Sequence, residues 1–133
     1  MRRRRPLYAV GIIERPDHHV LIALASGREE QGRLWQFPRG PAEPNESVEA
    51  AMRRVARQEF GIEVEIVVGQ PPLVEEIDGK AVELRYFFCD LTTGVPQAGG
   101  YEEIRWVSKA HLREYDFDQA SAPVVQWLLE SGT

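Results

Sequence analysis

The residues best equipped for chemistry lie between Gly40 and Ile62, in the stretch GPAEPNESVEAAMRRVARQEFGI. It carries Glu43, Glu46, Glu49, Arg54 and Glu59, with Arg39 immediately before it. Ser47 to Phe60 contains neither Gly nor Pro, and Val48, Ala51, Met52 and Val55 recur at helical spacing. This segment is therefore predicted to be a helix. At roughly 100° per residue, positions 55, 58 and 59 share one face of it. That face offers one carboxylate (Glu59), one amide oxygen (Gln58) and the aliphatic Val55. Oxygen donors suit a hard cation such as Mg²⁺. Zinc chemistry has no comparable support. Cys89 is the one cysteine, no cysteine–histidine cluster exists, and His18, His19 and His111 read as surface or strand residues.

The spacing of the stretch resembles the signature of the Nudix superfamily, G-x5-E-x7-R-E-U-x-E-E-x-G-U, where U is a bulky apolar residue. Gly40, Glu46, Arg54, Glu59, Gly61 and Ile62 hold the signature residues in register. Three positions depart. Val55 replaces the glutamate after the arginine, Ala56 replaces the bulky residue, and Gln58 replaces the first of the paired glutamates. The resemblance covers roughly residues 7–129. It implies an α/β fold, an α/β/α sandwich with a mixed central β-sheet and the signature on a loop–helix. It further implies Mg²⁺- or Mn²⁺-dependent hydrolysis of a pyrophosphate bond in a nucleoside diphosphate linked to another group.

In a complete site of that kind, three carboxylates at positions 55, 58 and 59 face ions that neutralise the diphosphate and activate water. Here two of the three charges are missing, so weak metal binding and attenuated hydrolysis are expected. The alternative is a non-catalytic nucleotide-binding or protein-interaction module. Carried over residue by residue, the metal positions are Glu59, Gln58, Gly40 and Glu46. Arg54 is expected to tie the helix to the preceding loop through a carboxylate such as Glu46. The catalytic set is Glu59, Arg54 and Glu102. In many members a glutamate just before an x-x-R-W-V strand supplies the base or a metal ligand, and this chain has Glu102-Glu103-Ile104-Arg105-Trp106-Val107. The other reading makes Glu102 and Glu103 solvated loop acids.

Two further stretches resemble substrate-handling parts of subfamilies. LWQFPRG (Leu34 to Gly40) is similar to the strand before the signature in RNA 5′-pyrophosphohydrolases and diadenosine polyphosphate hydrolases. DFDQASAP (Asp116 to Pro123) is similar to the tail of MutT-type diphosphatases, with Ser121 where an asparagine reads the oxidised base. A nucleotide or nucleotide-derived molecule is the implied partner, with an RNA 5′ end among the options. Arg39 keeps its backbone carbonyl for a metal, and its side chain suits a phosphate. Trp35, Phe37 and Tyr86 either stack on a base or fill the core.

The elements that must position these groups follow from pattern. Strands are predicted at Leu7 to Glu14, His19 to Ala25, Trp35 to Phe37, Glu63 to Val68, Leu73 to Ile77, Ala81 to Leu91 and Ile104 to Val107. Pro16-Asp17 and Asp78-Gly79 read as turns, and Ser26 to Arg33 and Thr92 to Gly100 as loops. Pro38 and Gly40 are expected to end the third strand. Further helices are predicted at Lys109 to Glu114 and Gln119 to Glu130, with Gly61 capping the signature helix.

At 133 residues the chain suits one domain, taken as 7–133 after a basic arm at 1–6. Its 43% hydrophobic and 28% charged content fits a folded protein rather than a disordered one. No apolar run is long enough to span a bilayer, and no secretory signal is read at the N-terminus. A cytoplasmic location is expected. The net charge is −5, and Arg2 to Arg5 contribute +4, leaving −9 for the remainder. Such a body disfavours non-specific nucleic-acid binding. The arm is either a contact for RNA or another polyanion, or a solvated terminus.

Overall fold

The computed structural model describes residues 5–25 and 33–131. Arg2 to Arg4 of the basic arm and residues 26–32 of the first predicted loop lie outside the described residues. Eight strands are present in the described chain: β1 (Leu7–Glu14), β2 (His19–Leu24), β3 (Trp35–Gln36), β4 (Arg39–Pro41), β5 (Glu63–Gly69), β6 (Leu73–Ile77), β7 (Lys80–Thr93) and β8 (Glu103–Ser108). The helices are α1 (Val48–Phe60) and α2 (Ala122–Ser131), with 3-10 turns at Lys109–Glu114 and Gln119–Ser121.

The sheet is mixed. β1 runs parallel to β7 along its whole length, from Leu7 opposite Glu83 to Glu14 opposite Asp90. The long β7 then takes two antiparallel partners on its other side, β6 beside its first half and β5 beside its second. Asp78 and Gly79 join β6 to β7 with φ of 50° and 79°, the left-handed pair that a tight hairpin requires.

β1 and β2 are paired at Glu14 and Val20, next to their turn. Beyond that point each takes a different neighbour. β2 pairs with β3 through Ala23–Gln36 and Leu24–Trp35, while β1 pairs with β4 through Tyr8–Pro41, Ala9–Gly40 and Val10–Arg39. The Gly11 N–H donates to the Pro38 carbonyl at 2.8 Å between them. The segment from Trp35 to Pro41 thus crosses the opening between β1 and β2, and the candidate site is built around it. The extended chain does not stop at Pro38 as expected. It resumes as β4 because this is an edge strand, where Pro41 can face outward with no N–H to pair.

Alternation along the strands sends side chains to two apolar layers. Val10, Ile12, Ile22, Leu84 and Tyr86 pack with Val124 and Leu128 of α2. Ala9, Ile13, Leu21, Phe87 and Cys89 pack with Ala51, Met52, Val55 and Phe60 of α1. The result is the expected α/β/α sandwich. Burial pushes the Cys89 thiol up to about 12, which makes it an apolar filler rather than a nucleophile.

α1 forms because its buried residues (Val48, Ala51, Met52, Val55, Ala56 and Phe60) make one stripe, each large member contributing roughly 1.5–3 kcal/mol on full burial. The Ser47 hydroxyl caps its start by accepting the Ala50 N–H at 3.1 Å. Gly61, at φ 71°, ends it, with its own N–H bonded to the Arg57 carbonyl and that of Ile62 to the Ala56 carbonyl. At the C-terminal end, the single predicted helix is two pieces. Asp118 caps the 3-10 turn by accepting the Ser121 N–H, and α2 begins after it.

Candidate functional site

Arg54 is the structural centre of the loop before α1. Its Nε and Nη2 bind the two carboxylate oxygens of Glu46 at 2.8 and 3.0 Å, a bidentate pair. Nη2 also donates to the Pro41 carbonyl at 2.7 Å, and Glu43 lies 2.9 Å from Nε. The Glu43 N–H closes the loop by donating to Glu46 at 2.9 Å. Hydrogen bonds from Arg54 hold the Glu46 carboxyl below its usual range, and those from Glu46 raise the pKa of Arg54. The tie between helix and loop expected of these two residues is present. It also commits Glu46: both oxygens are engaged by Arg54.

The predicted metal face departs from an ion-binding surface at two of its three positions. Val55 is 2% exposed and packs into the apolar layer against Gly40. The Gln58 amide oxygen accepts from Arg54 Nη1 at 3.2 Å, so the one neutral oxygen donor is turned towards a cation. Glu59 is exposed and remains the sole carboxylate of the face. Among the described residues, no group of three or more His, Cys, Asp or Glu side chains is placed to hold a metal. The residues present do not fit a multi-ion Mg²⁺ centre.

The loop between β7 and β8 docks on the last turn of α1. Gly99, at φ 58°, comes so close that a β-carbon there would lie 2.5 Å from the Glu59 carbonyl oxygen. The Gln97 N–H donates to the Phe60 carbonyl at 2.9 Å, and the Tyr101 ring stacks on Phe60 at 5.3 Å between centroids. Glu102 follows directly. Its N–H is bonded to the Leu24 carbonyl, and its exposed side chain is ion-paired with Arg33. The fold therefore brings the loop of Glu102 to the end of the helix that carries Glu59. Glu103 points to a different partner, Arg105.

On the other side of the crossing segment, Arg39 is largely enclosed, with its side chain 14% exposed. Its Nη1 lies 2.7 Å from Asp118 Oδ2, an ion pair between β4 and the chain before α2. Nη1 is buried, and the Asp118 carboxylate is its ion-pair partner across the crossing segment. Asp118 is fixed by its own bonds: Oδ1 accepts the Ser121 N–H at 3.1 Å, and its backbone N–H donates to the Trp35 carbonyl at 3.0 Å.

Of the two readings of Trp35, Phe37 and Tyr86, base contact or core, the structure has all three packed inside. Phe37 and Tyr86 are fully buried, and Trp35 is 9% exposed in the same apolar layer. The Tyr86 hydroxyl donates to the Ala120 carbonyl at 2.8 Å, and burial raises its pKa well above the ordinary range. Ser121 is buried too, its hydroxyl accepting the Phe37 N–H at 3.3 Å. Sequence reasoning did not single out Gln36, Tyr101 or Asp118. Gln36 is buried and within 3.4 Å of the Tyr101 hydroxyl, and burial raises the Tyr101 pKa. A polar residue between two core aromatics was the available signal for Gln36. Asp118 had the weaker signal of an acid three residues before Ser121, the spacing of a cap.

The signature loop, the capped α1 and the mixed sheet between helices now stand together. A family model described as NUDIX domain matches residues 4–128. The chain belongs to the Nudix family. Nudix hydrolases generally use a divalent metal such as Mg²⁺. A CTP pyrophosphohydrolase of Escherichia coli K12 is 30% identical over 115 residues, covering 86% of this chain and 84% of that protein. An 8-oxo-dGTP diphosphatase of the same strain is 26% identical over 117 residues, covering 88% of this chain and 91% of the relative. Among solved structures, the solution structure of the E. coli ORF135 protein superposes with a TM-score of 0.82 at 26% identity, covering 96% of this chain and 90% of the other. No helix among the described residues is long and apolar enough to cross a membrane.

Proposed function

We propose that this Nudix protein binds a nucleoside diphosphate linked to a further group in the opening between β1 and β2. We further propose that it hydrolyses the pyrophosphate bond far more slowly than a member with the complete acidic face. The nucleotide class is supported by the family and by relatives named for CTP and 8-oxo-dGTP. The observation that carries attenuation is the state of the α1 face: Val55 packed against Gly40, Gln58 bonded to Arg54, and Glu59 alone as carboxylate. Glu59 is the acidic group available at the reacting end of the site, and Glu102 is the second, carried by the loop docked on the same helix turn.

A second reading has its own support. The Arg54–Glu46–Pro41 network is complete while the face beside it keeps one carboxylate of three. That combination suits a domain that holds nucleotide and performs no hydrolysis. A substrate panel separates the two: nucleoside triphosphates, dinucleoside polyphosphates and 5′-triphosphorylated RNA, each with Mg²⁺ or Mn²⁺. Slow turnover that disappears in Glu59→Gln supports hydrolysis. Measurable nucleotide affinity with no turnover supports the binding module, and neither affinity nor turnover removes both readings.

A further inference from the structure

We propose that the groove between α2 and the chain from Leu112 to Phe117 binds a small zwitterion with an apolar body, the chemistry of an apolar amino acid. This site is separate from the nucleotide opening and does not rest on the reading above.

Three features of the groove converge. First, it has a defined size and an apolar lining. Ala122, Val125, Gln126, Leu129 and Glu130 fall on one face of α2, and the 3-10 turn at Lys109–Glu114 with the tail after it supplies the opposite wall. The space between them is about 520 Å³, within the roughly 300–1,000 Å³ of small-molecule sites. Its apolar surface comes from the buried Leu112 and from the half-buried Tyr115, Phe117, Val125 and Leu129. Second, the wall is braced by the crossing segment. The Phe117 ring stacks on Phe37 and Tyr115 meets Trp35 edge-on, each at 5.3 Å between centroids. Arg105 Nη1 also donates to the Tyr115 hydroxyl at 3.3 Å. The aromatic wall is therefore ordered before any ligand arrives, which lowers the entropic cost of binding. Third, the groove carries two charges of opposite sign that lack ionic partners. Among the described residues, Arg113 has no ion-pair partner, and Glu130 accepts only from a neutral amide, Gln126 Nε2 at 3.1 Å.

Charge decides the class of ligand. An anion would gain Arg113 and meet Glu130, and a cation would gain Glu130 and meet Arg113. A molecule with both charges satisfies each at once. Its carboxylate takes the Arg113 guanidinium in a fork-to-fork pair, and its ammonium takes the Glu130 oxygens. Its side chain then lies on the aliphatic and aromatic lining. Arg105, the other cation against Tyr115, is already paired with Glu103 and does not compete. Arg113 and Glu130 are both exposed, so solvent screens each contact and the complex is weak and readily reversible.

The test is an NMR titration of the full chain, labelled with ¹⁵N, with L-phenylalanine, phenylalaninamide (no carboxylate) and N-acetylphenylalanine (no ammonium). L-Phenylalanine should give saturable shifts at residues 112–117 and 122–130, and CTP should not displace it. The two derivatives should each bind at least about threefold more weakly, the scale of one exposed ion pair. Arg113→Gln should weaken L-phenylalanine by a similar factor and leave phenylalaninamide unchanged. Glu130→Gln should weaken L-phenylalanine and leave N-acetylphenylalanine unchanged. Both side chains are exposed, so neither substitution threatens the fold. No saturable shift, equal affinity for the three probes, or indifference to both substitutions overturns the inference. Shifts centred on residues 36–41, or lost on adding CTP, would place the probe in the nucleotide opening and likewise overturn it. Shifts at the groove that follow protein concentration instead of added amino acid would assign it to a second copy of the chain, which also overturns the inference.

Discussion

A β-carbon on Gly40 would lie 2.6 Å from Cγ2 of Val55, closer than side chains approach in folded proteins. The two residues are partners in packing: glycine is required because valine fills the space, and the valine is buried because glycine leaves it. In a chain with glutamate at position 55, the same contact would set a carboxylate beside the loop. Here it sets a methyl group there, and the loop and helix close on each other through apolar contact.

Gly40→Ala is therefore expected to destabilise the fold by about 1–3 kcal/mol, as overpacking does. Val55→Ala in the same chain should recover most of that loss. Chemical denaturation of the two single variants and the double variant checks this through the coupling energy. Strictly additive effects would mean that the contact does not limit the packing.

Arg54 and Glu46 set part of the acid stability. The Glu46 carboxyl is depressed from 4.5 by the Arg54 hydrogen bonds. The unfolded state therefore takes up that proton first as pH falls. The stabilisation is fully present above about pH 4.5 and is lost on descending through the folded value. Arg54→Met should lower the melting temperature at pH 7 and make stability less steep in pH below about 4.5. Some dependence should persist, because Asp17 is held at about 2 by Arg15 and Glu14 is depressed too, its bonds to Lys109 and His18 outweighing burial. An unchanged acid slope in the variant would contradict the pairing.

Ser121 has a structural duty that the tail resemblance alone does not reveal. Its hydroxyl meets the buried Phe37 N–H. Ser121→Ala leaves that donor unmet and should cost about 1–3 kcal/mol. The change should leave discrimination among nucleotides unaltered. Thermal unfolding and a competition binding assay read the two effects separately.

Most of the fold was legible because each element carried its own local signal. The α1 stripe, Gly61 and the Asp78-Gly79 turn all agree with one another and with the structure. β4 was not legible, because Pro38, Gly40 and Pro41 are turn residues by local chemistry and the strand exists only through its neighbour β1. The site was read in outline. Sequence spacing pairs Arg54 with Glu46 and isolates Glu59, since these relations lie within one loop and one helix. The Arg39–Asp118 pair spans two elements far apart in sequence, and the packing of Tyr101 on Phe60 depends on how a loop docks. No spacing rule reports contacts of that kind. The same limit applies to Trp35, Phe37 and Tyr86, whose burial is decided by α2 and the tail that cover them.

The most direct measurement restores the acidic face. Val55→Glu with Gln58→Glu should be less stable than the parent without metal, because a carboxylate replaces a buried methyl group at position 55. Titration with Mg²⁺ should then show binding at least about tenfold tighter than in the parent, on the scale of tenfold per 1.4 kcal/mol. Thermal stability should be regained as the ion loads, and pyrophosphate-bond hydrolysis should accelerate alongside. If the double variant binds Mg²⁺ and turns over nucleotide no better than the parent, the defect does not lie at those two positions and the account of this site is wrong.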